Sequence, residues 1–186
     1  MLFRSALPAL RKGTNELIVR APVGKRLSLE NYFLLGEFGV RTVGYTAAVT
    51  ALPERLHFGN LASQGLPFYG AAVTYKTEFD LDAERDIAVR CEYFRGTVVG
   101  VKLDGKDVGR IAISPYKVFC NGVTAGRHTL ELTLYVSRVN CFGGLHNCAF
   151  YPWIGPNYWY SDDTDWSYEY VLKDTGILKS PIIEVY

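Results

Sequence analysis

Arg138, Asn140 and His146 stand close together in a glycine-bearing stretch, Ser137-Arg-Val-Asn-Cys-Phe-Gly-Gly-Leu-His146. A guanidinium offers a rigid fork of donors, an amide pairs a donor with an acceptor, and an imidazole serves as either. Such groups suit the vicinal hydroxyls of a sugar. A pyranose also has an apolar face that seats on flat rings. The stretch that follows supplies them in Trp153, Tyr158 and Trp159, with Tyr160 and Trp166 beyond. Trp153, set between Pro152 and Pro156, is the ring expected to stand most exposed. The plainer alternatives are that Trp159 and Trp166 close the core under a long loop, that Arg138 and Asn140 tie the loop backbone together, and that a lone His146 is structural.

Asp162, Asp163 and Asp165 form a small acidic cluster. Calcium takes its ligands from carboxylate and carbonyl oxygens, so these three are the candidate metal ligands, although an EF-hand pattern is absent. A solvated acidic turn ahead of Trp166 is the plainer reading. Glycoside hydrolysis would need two carboxylates across the scissile bond. Glu37, Asp162, Asp163, Asp165 and Glu169 are the pool, and nothing places any two of them face to face. No Ser-His-Asp constellation, nucleophile elbow or phosphate loop is visible. Cys91 and Cys120 lie in apolar strand-like runs, and no cysteines pair at zinc spacing. Cys141 and Cys148 could bridge a loop in an exported protein; reduced thiols are the expectation.

The elements that must position these groups read as strands. Leu130, Leu132, Leu134 and Val136 alternate with Thr129, Glu131, Thr133 and Tyr135, which is the period of a strand with one buried face. That strand runs out at Ser137 into the Arg138–His146 rim. Val73 to Phe79, Asp86 to Phe94 and Thr97 to Leu103 also read as strands. Asp104-Gly105 is a two-residue hairpin signal, and Asp107 to Ile113 returns. Tyr116 to Cys120 pairs again, Asn121-Gly122 turns, Trp166 to Leu172 resumes a strand, and Pro181 to Tyr186 closes as an edge strand. Short strands at this spacing, with no long helical period, predict a β-sandwich or jelly roll over Leu61 to Tyr186.

Residues 1–60 read as an N-terminal β extension. Within it, Leu10 to Val19 repeats the shape of Val123 to Leu132: a glycine, then Asn15 or His128 two positions on, then apolar residues at alternate positions. Two copies of one β-domain, or a coincidence between two ordinary strand openings, account for this.

The 186 residues allow one domain or one domain plus a piece of another. Apolar residues at 48% and charged residues at 21% predict a packed core. A net charge of +1 gives no electrostatic footprint for nucleic acid or an anionic membrane. No run of apolar residues is long enough for a transmembrane helix. Met1-Leu-Phe-Arg-Ser-Ala-Leu-Pro8 lacks the apolar core of a signal peptide, which fits a cytoplasmic or a secreted parent alike.

Gly65-Leu-Pro-Phe-Tyr-Gly70, Val101-Lys-Leu-Asp-Gly-Lys-Asp-Val-Gly109, the Gly126, His128, Leu130, Leu132 pattern and Arg138-Val-Asn140, in that order, resemble the galactose-binding-like jelly-roll modules of large glycoside hydrolases. Accessory domains of β-galactosidases and rhamnosidases are among these. The resemblance covers about Leu61 to Tyr186, and the residues before it resemble the last strands of a similar preceding domain. It implies a sandwich of eight or so strands with any sugar contacts on loops at one end. It implies that the Asp104-Gly105 turn only shapes a hairpin. Many such modules bind no sugar and pack on a catalytic barrel; some carry a structural calcium ion. This chain has no stretch corresponding to the barrel. Three readings follow. The first is a non-catalytic carbohydrate-binding or accessory domain, partnered by a galactoside- or rhamnoside-like sugar or by an adjacent catalytic domain. The second is a structural interaction sandwich that leaves apolar surface bare and dimerises. The third is a small glycosidase.

Overall fold

The computed structural model describes residues 6–7, 9–20, 22, 24, 32–149 and 164–186. They fall into two compact units, Met1–Gly36 and Glu37–Tyr186. The second unit therefore takes in residues 37–60, which the sequence reading assigned to the extension. Backbone bonds tie them in: Val40 N donates to Gly65 O at 2.8 Å, Gly59 N to Ile177 O at 2.7 Å, and Leu61 N to Thr175 O at 2.8 Å.

The second unit is an all-β sandwich. Its strands in chain order are β1 (Gly39–Val43), β2 (Thr46–Thr50), β3 (Ala72–Leu81), β4 (Arg85–Arg90), β5 (Phe94–Arg95), β6 (Val98–Leu103), β7 (Lys106–Ile111), β8 (Lys117–Val123), β9 (Gly126–Tyr135), β10 (Gly176–Ile177) and β11 (Ile182–Val185). One layer is the antiparallel sheet β3-β9-β6-β7 and the other is β11-β4-β8. The chain crosses repeatedly between the layers, so sequence neighbours such as β3 and β4 lie in opposite sheets. Two small ladders, β1-β2 and β10-β5, complete it.

Burial follows the alternation. Leu130, Leu132 and Leu134 of β9 are fully buried, while Thr129, Glu131 and Thr133 face outward. Those leucines join Val73 and Tyr75 of β3, Val99 and Val101 of β6, Ile87 and Val89 of β4, and Val118 and Cys120 of β8 in one apolar cluster between the sheets. The outward residues pair across strands: Thr74 with Thr133 through their hydroxyls at 2.9 Å, and Lys76 with Glu131 at 2.8 Å. Asp104 and Gly105, with φ of 49° and 78°, make the two-residue turn between β6 and β7.

Two sequence expectations need correction. The turn expected at Asn121-Gly122 lies inside β8. Gly122, at φ 59°, is accommodated by a register shift against β4, and its N–H donates to Asp86 Oδ1 at 2.8 Å. The strand expected over Trp166 to Leu172 is absent as a ladder; a single bridge joins Trp166 to Asn147, and the rest is irregular.

Candidate functional site: an aromatic corner beyond β9

Where β9 ends, the chain makes one helical turn, α1 (Val139–Phe142), and enters the loop to Ala149. Residues returning from Thr164 to Thr175 are pinned against that loop one bond at a time. Cys148 N donates to Asp165 O at 2.8 Å, Ser167 N to His146 O at 2.8 Å, and Val171 N to Leu145 O at 2.6 Å. Tyr170 N donates to Gly44 O, at the β1-β2 turn, at 3.2 Å. Asn60 Oδ1 accepts from Thr175 N at 3.2 Å and Asn60 Nδ2 donates to Asp174 Oδ1 at 2.6 Å.

These bonds assemble a run of rings. Trp166 stacks on His146, with centroids 4.6 Å apart and planes 26° off parallel. Tyr170 also contacts the imidazole, tilted by 36° at 4.9 Å, and Phe68 meets Tyr170 edge-on at 5.3 Å. Tyr168 stands at 84° to Trp166, 6.5 Å away. Trp166 is 45% exposed and Tyr168 78% exposed. The inner rings are thus anchored and the outer two form a floor and a wall open to solvent. His146 Nδ1 faces Ser167 O at 2.9 Å, and a carbonyl can only accept, so this nitrogen donates and Nε2 is the ring nitrogen left to other partners.

Of the residues expected to meet a sugar, Asn140 must be withdrawn. Its side chain is buried, with Nδ2 donating to Lys173 O at 2.8 Å and Oδ1 accepting from Lys173 N at 2.9 Å. Both ends of the amide are spent on backbone, so Asn140 positions the returning segment rather than a ligand. Arg138 is exposed at the start of α1, and its carbonyl accepts from Cys141 N and Phe142 N at 3.0 Å. Gly70 packs against its side chain: a Cβ there would lie 2.6 Å from Cys141 Sγ and 3.2 Å from Arg138 Cγ, so a larger residue would force these side chains to shift. Cys141 in turn bonds Phe68 O at 2.9 Å. Trp153, Tyr158, Trp159, Asp162 and Asp163 lie outside the described residues. Asp165 contributes its backbone carbonyl to Cys148, and no cluster of three metal-ligating side chains occurs among the described residues.

Of the two most open rings, Trp166 was among those the sequence offered to a sugar and Tyr168 was not. Their signal was the alternation of Trp166, Tyr168 and Tyr170, which reads as a strand face when the strand is assumed. Two clefts, of about 270 and 370 Å³, open elsewhere, along β3 beside Phe58. The ring corner is a surface platform rather than a pocket of this kind.

No family model and no curated protein matches the chain. Among solved structures, a GH2 β-galacturonidase from Eisenbergiella tayi bound to galacturonate is 21% identical, over 52% of this chain and 17% of that one, with a TM-score of 0.35. A GH2 β-galacturonidase from the same organism bound to glycerol is 20% identical, over 79% of this chain and 22% of that one, with a TM-score of 0.42. A rhamnosidase from Novosphingobium sp. PP1Y is 18% identical, over 88% of this chain and 16% of that one, with a TM-score of 0.49. The chain thus spans less than a quarter of the length of each of these enzymes.

Proposed function

We propose that this chain is a non-catalytic carbohydrate-binding or accessory sandwich of a glycoside hydrolase, and that Trp166 and Tyr168 form its sugar-contacting corner. The observation that carries the reading is the exposed indole held flat on His146 with Tyr168 upright beside it. A pyranose needs an apolar floor and polar groups at its rim. His146 Nε2 and the exposed Arg138 are candidates for that rim. The four sequence motifs that resemble galactose-binding-like modules support the same class. Calorimetric titration with a panel of galactosides and rhamnosides tests it. Trp166→Ala is expected to weaken any binding at least about tenfold, the equivalent of 1.4 kcal/mol. Silence of the wild-type protein across the panel would remove the sugar-binding half of the proposal.

A second reading, a structural interaction sandwich, is favoured by a different surface. On the outer face of β11-β4-β8, Phe119 and Tyr186 are each 60% exposed with ring centroids 6.3 Å apart, and Ile182 is 49% exposed. An apolar group of this kind suits a protein neighbour such as an adjacent catalytic domain. Light scattering distinguishes one outcome, since self-association would be relieved by Phe119→Lys.

A further inference from the structure

We infer that Arg11–Val19 is the opening of a central strand of a second sandwich, equivalent residue for residue to Thr124–Leu132, that this strand is meant to be flanked in its sheet by a pair of strands like β3 and β6, and that Leu17 and Val19 form its core row. The inference is independent of sugar binding.

The equivalence rests on geometry as well as sequence. Gly13 and Gly126 are separated by 126 − 13 = 113 positions, and both lie in the left-handed region, at φ of 100° and 125°. Two residues after each glycine a polar side chain reaches back to the carbonyl four residues before it. Asn15 Nδ2 donates to Arg11 O at 2.8 Å; His128 Nε2 meets Thr124 O at the same 2.8 Å. Asn15 Oδ1 also accepts from Arg11 N at 2.9 Å. Among the described residues the loop is closed by bonds within Arg11–Asn15.

At the same offset Leu17 matches Leu130 and Val19 matches Leu132. Their surroundings differ completely. Leu130 and Leu132 are 0% exposed, whereas Leu17 is 63% and Val19 50% exposed. The strand's in-sheet partners follow from what flanks β9, whose leucine row is covered by the opposite sheet. Leu130 is paired on one side with Thr77 and on the other with Leu103, and Leu132 with Tyr75 and Val101. A β9-type opening is therefore flanked by two antiparallel strands, not by one flat surface. The hairpin turn of one flanking strand supplies an acceptor at a defined place: Asp104 Oδ1 takes Thr129 N at 2.8 Å. Glu16 holds the matching position, so the flanking pair is one whose turn presents a carboxylate to Glu16 N.

Transplanting Arg11–Val19 onto Thr124–Leu132 in the full chain tests the equivalence in place. The transplant is expected to give a cooperative melt and the near-ultraviolet dichroism of the wild type. Changing its Asn15-derived residue to alanine is expected to lower the midpoint by about 2–4 °C. A folded transplant whose midpoint ignores that change overturns the inference. Should nine changes together prevent folding, single variants decide. His128→Asn is expected to melt about 2–4 °C above His128→Ala, because asparagine restores the bond to Thr124 O; equal midpoints overturn the equivalence. In light scattering the wild type and Leu17→Asp are expected to have the same mass. A dimer that Leu17→Asp dissolves would mean that a second copy covers this row, and the second-sandwich assignment would fall.

Discussion

His128 faces two acceptors at once, a carboxylate oxygen of Asp104 at 2.7 Å and the carbonyl of Thr124 at 2.8 Å. Both ring nitrogens must then donate, which is satisfied by the imidazolium. The bond to Asp104, then that to Thr124 O, holds the imidazole above its ordinary pKa of 6.5; the bond from His128, then that from Thr129 N, holds Asp104 below 3.8. The signs set the pH window. The His128 contribution is complete below about pH 6.5 and is lost as pH rises through the raised folded value, while the Asp104 contribution is complete above about 3.8 and is lost as pH falls through the lowered one. Wild-type melting temperature is therefore expected to decline on the alkaline side of pH 6.5 by an increment that His128→Ala lacks, in melts run from pH 5 to 9. Asn140 gives a second expectation. Asn140→Ala removes both bonds to the Lys173 backbone, at about 0.5–1.5 kcal/mol each. Urea titration is expected to show that loss, with the m-value unchanged. The sequence showed that Arg138, Asn140 and His146 fall in one loop, but not which of them face inward. An amide satisfied by the backbone of a residue 33 positions away has no local signature.

At the scale of elements, β9 was legible because period two persists for its whole length and both neighbours bury the same face. Leu132→Ala should cost about 2–5 kcal/mol, since the site is fully enclosed between two sheets. Thr133→Ala, on the outward face, should stay within about 0.5 kcal/mol by the same denaturation assay. The Asp104-Gly105 hairpin was legible for a similar reason: two residues at positive φ leave few alternatives in sequence. The segment from Trp166 to Leu172 was not legible as what it is. Its aromatic alternation mimics a strand, yet its backbone bonds go singly to Gly44, Leu145, His146 and Cys148 rather than to one partner. Gly122 misled in the opposite sense. A glycine after an asparagine signals a turn, but here Asp86 satisfies the glycine N–H and the strand continues through it.

For the whole molecule, the sandwich acts as a rigid frame and the rings gather beyond the end of β9. The loop that leaves β9 and the segment that returns to β10 are held to one another by Asn140 and the Leu145–Cys148 bonds, and to the rest of the unit by Asn60 and Gly44. Recognition, on this account, is a property of that end and not of the clefts along β3. Titrating isotope-labelled protein with galactosides and rhamnosides while following the Trp166 indole and Tyr168 ring resonances tests this most directly. The account predicts saturable shifts centred on Trp166, Tyr168 and His146, with the β3 clefts silent. Shifts confined to Phe58, Leu56 and Tyr75 along β3, with the ring corner unmoved, would contradict it.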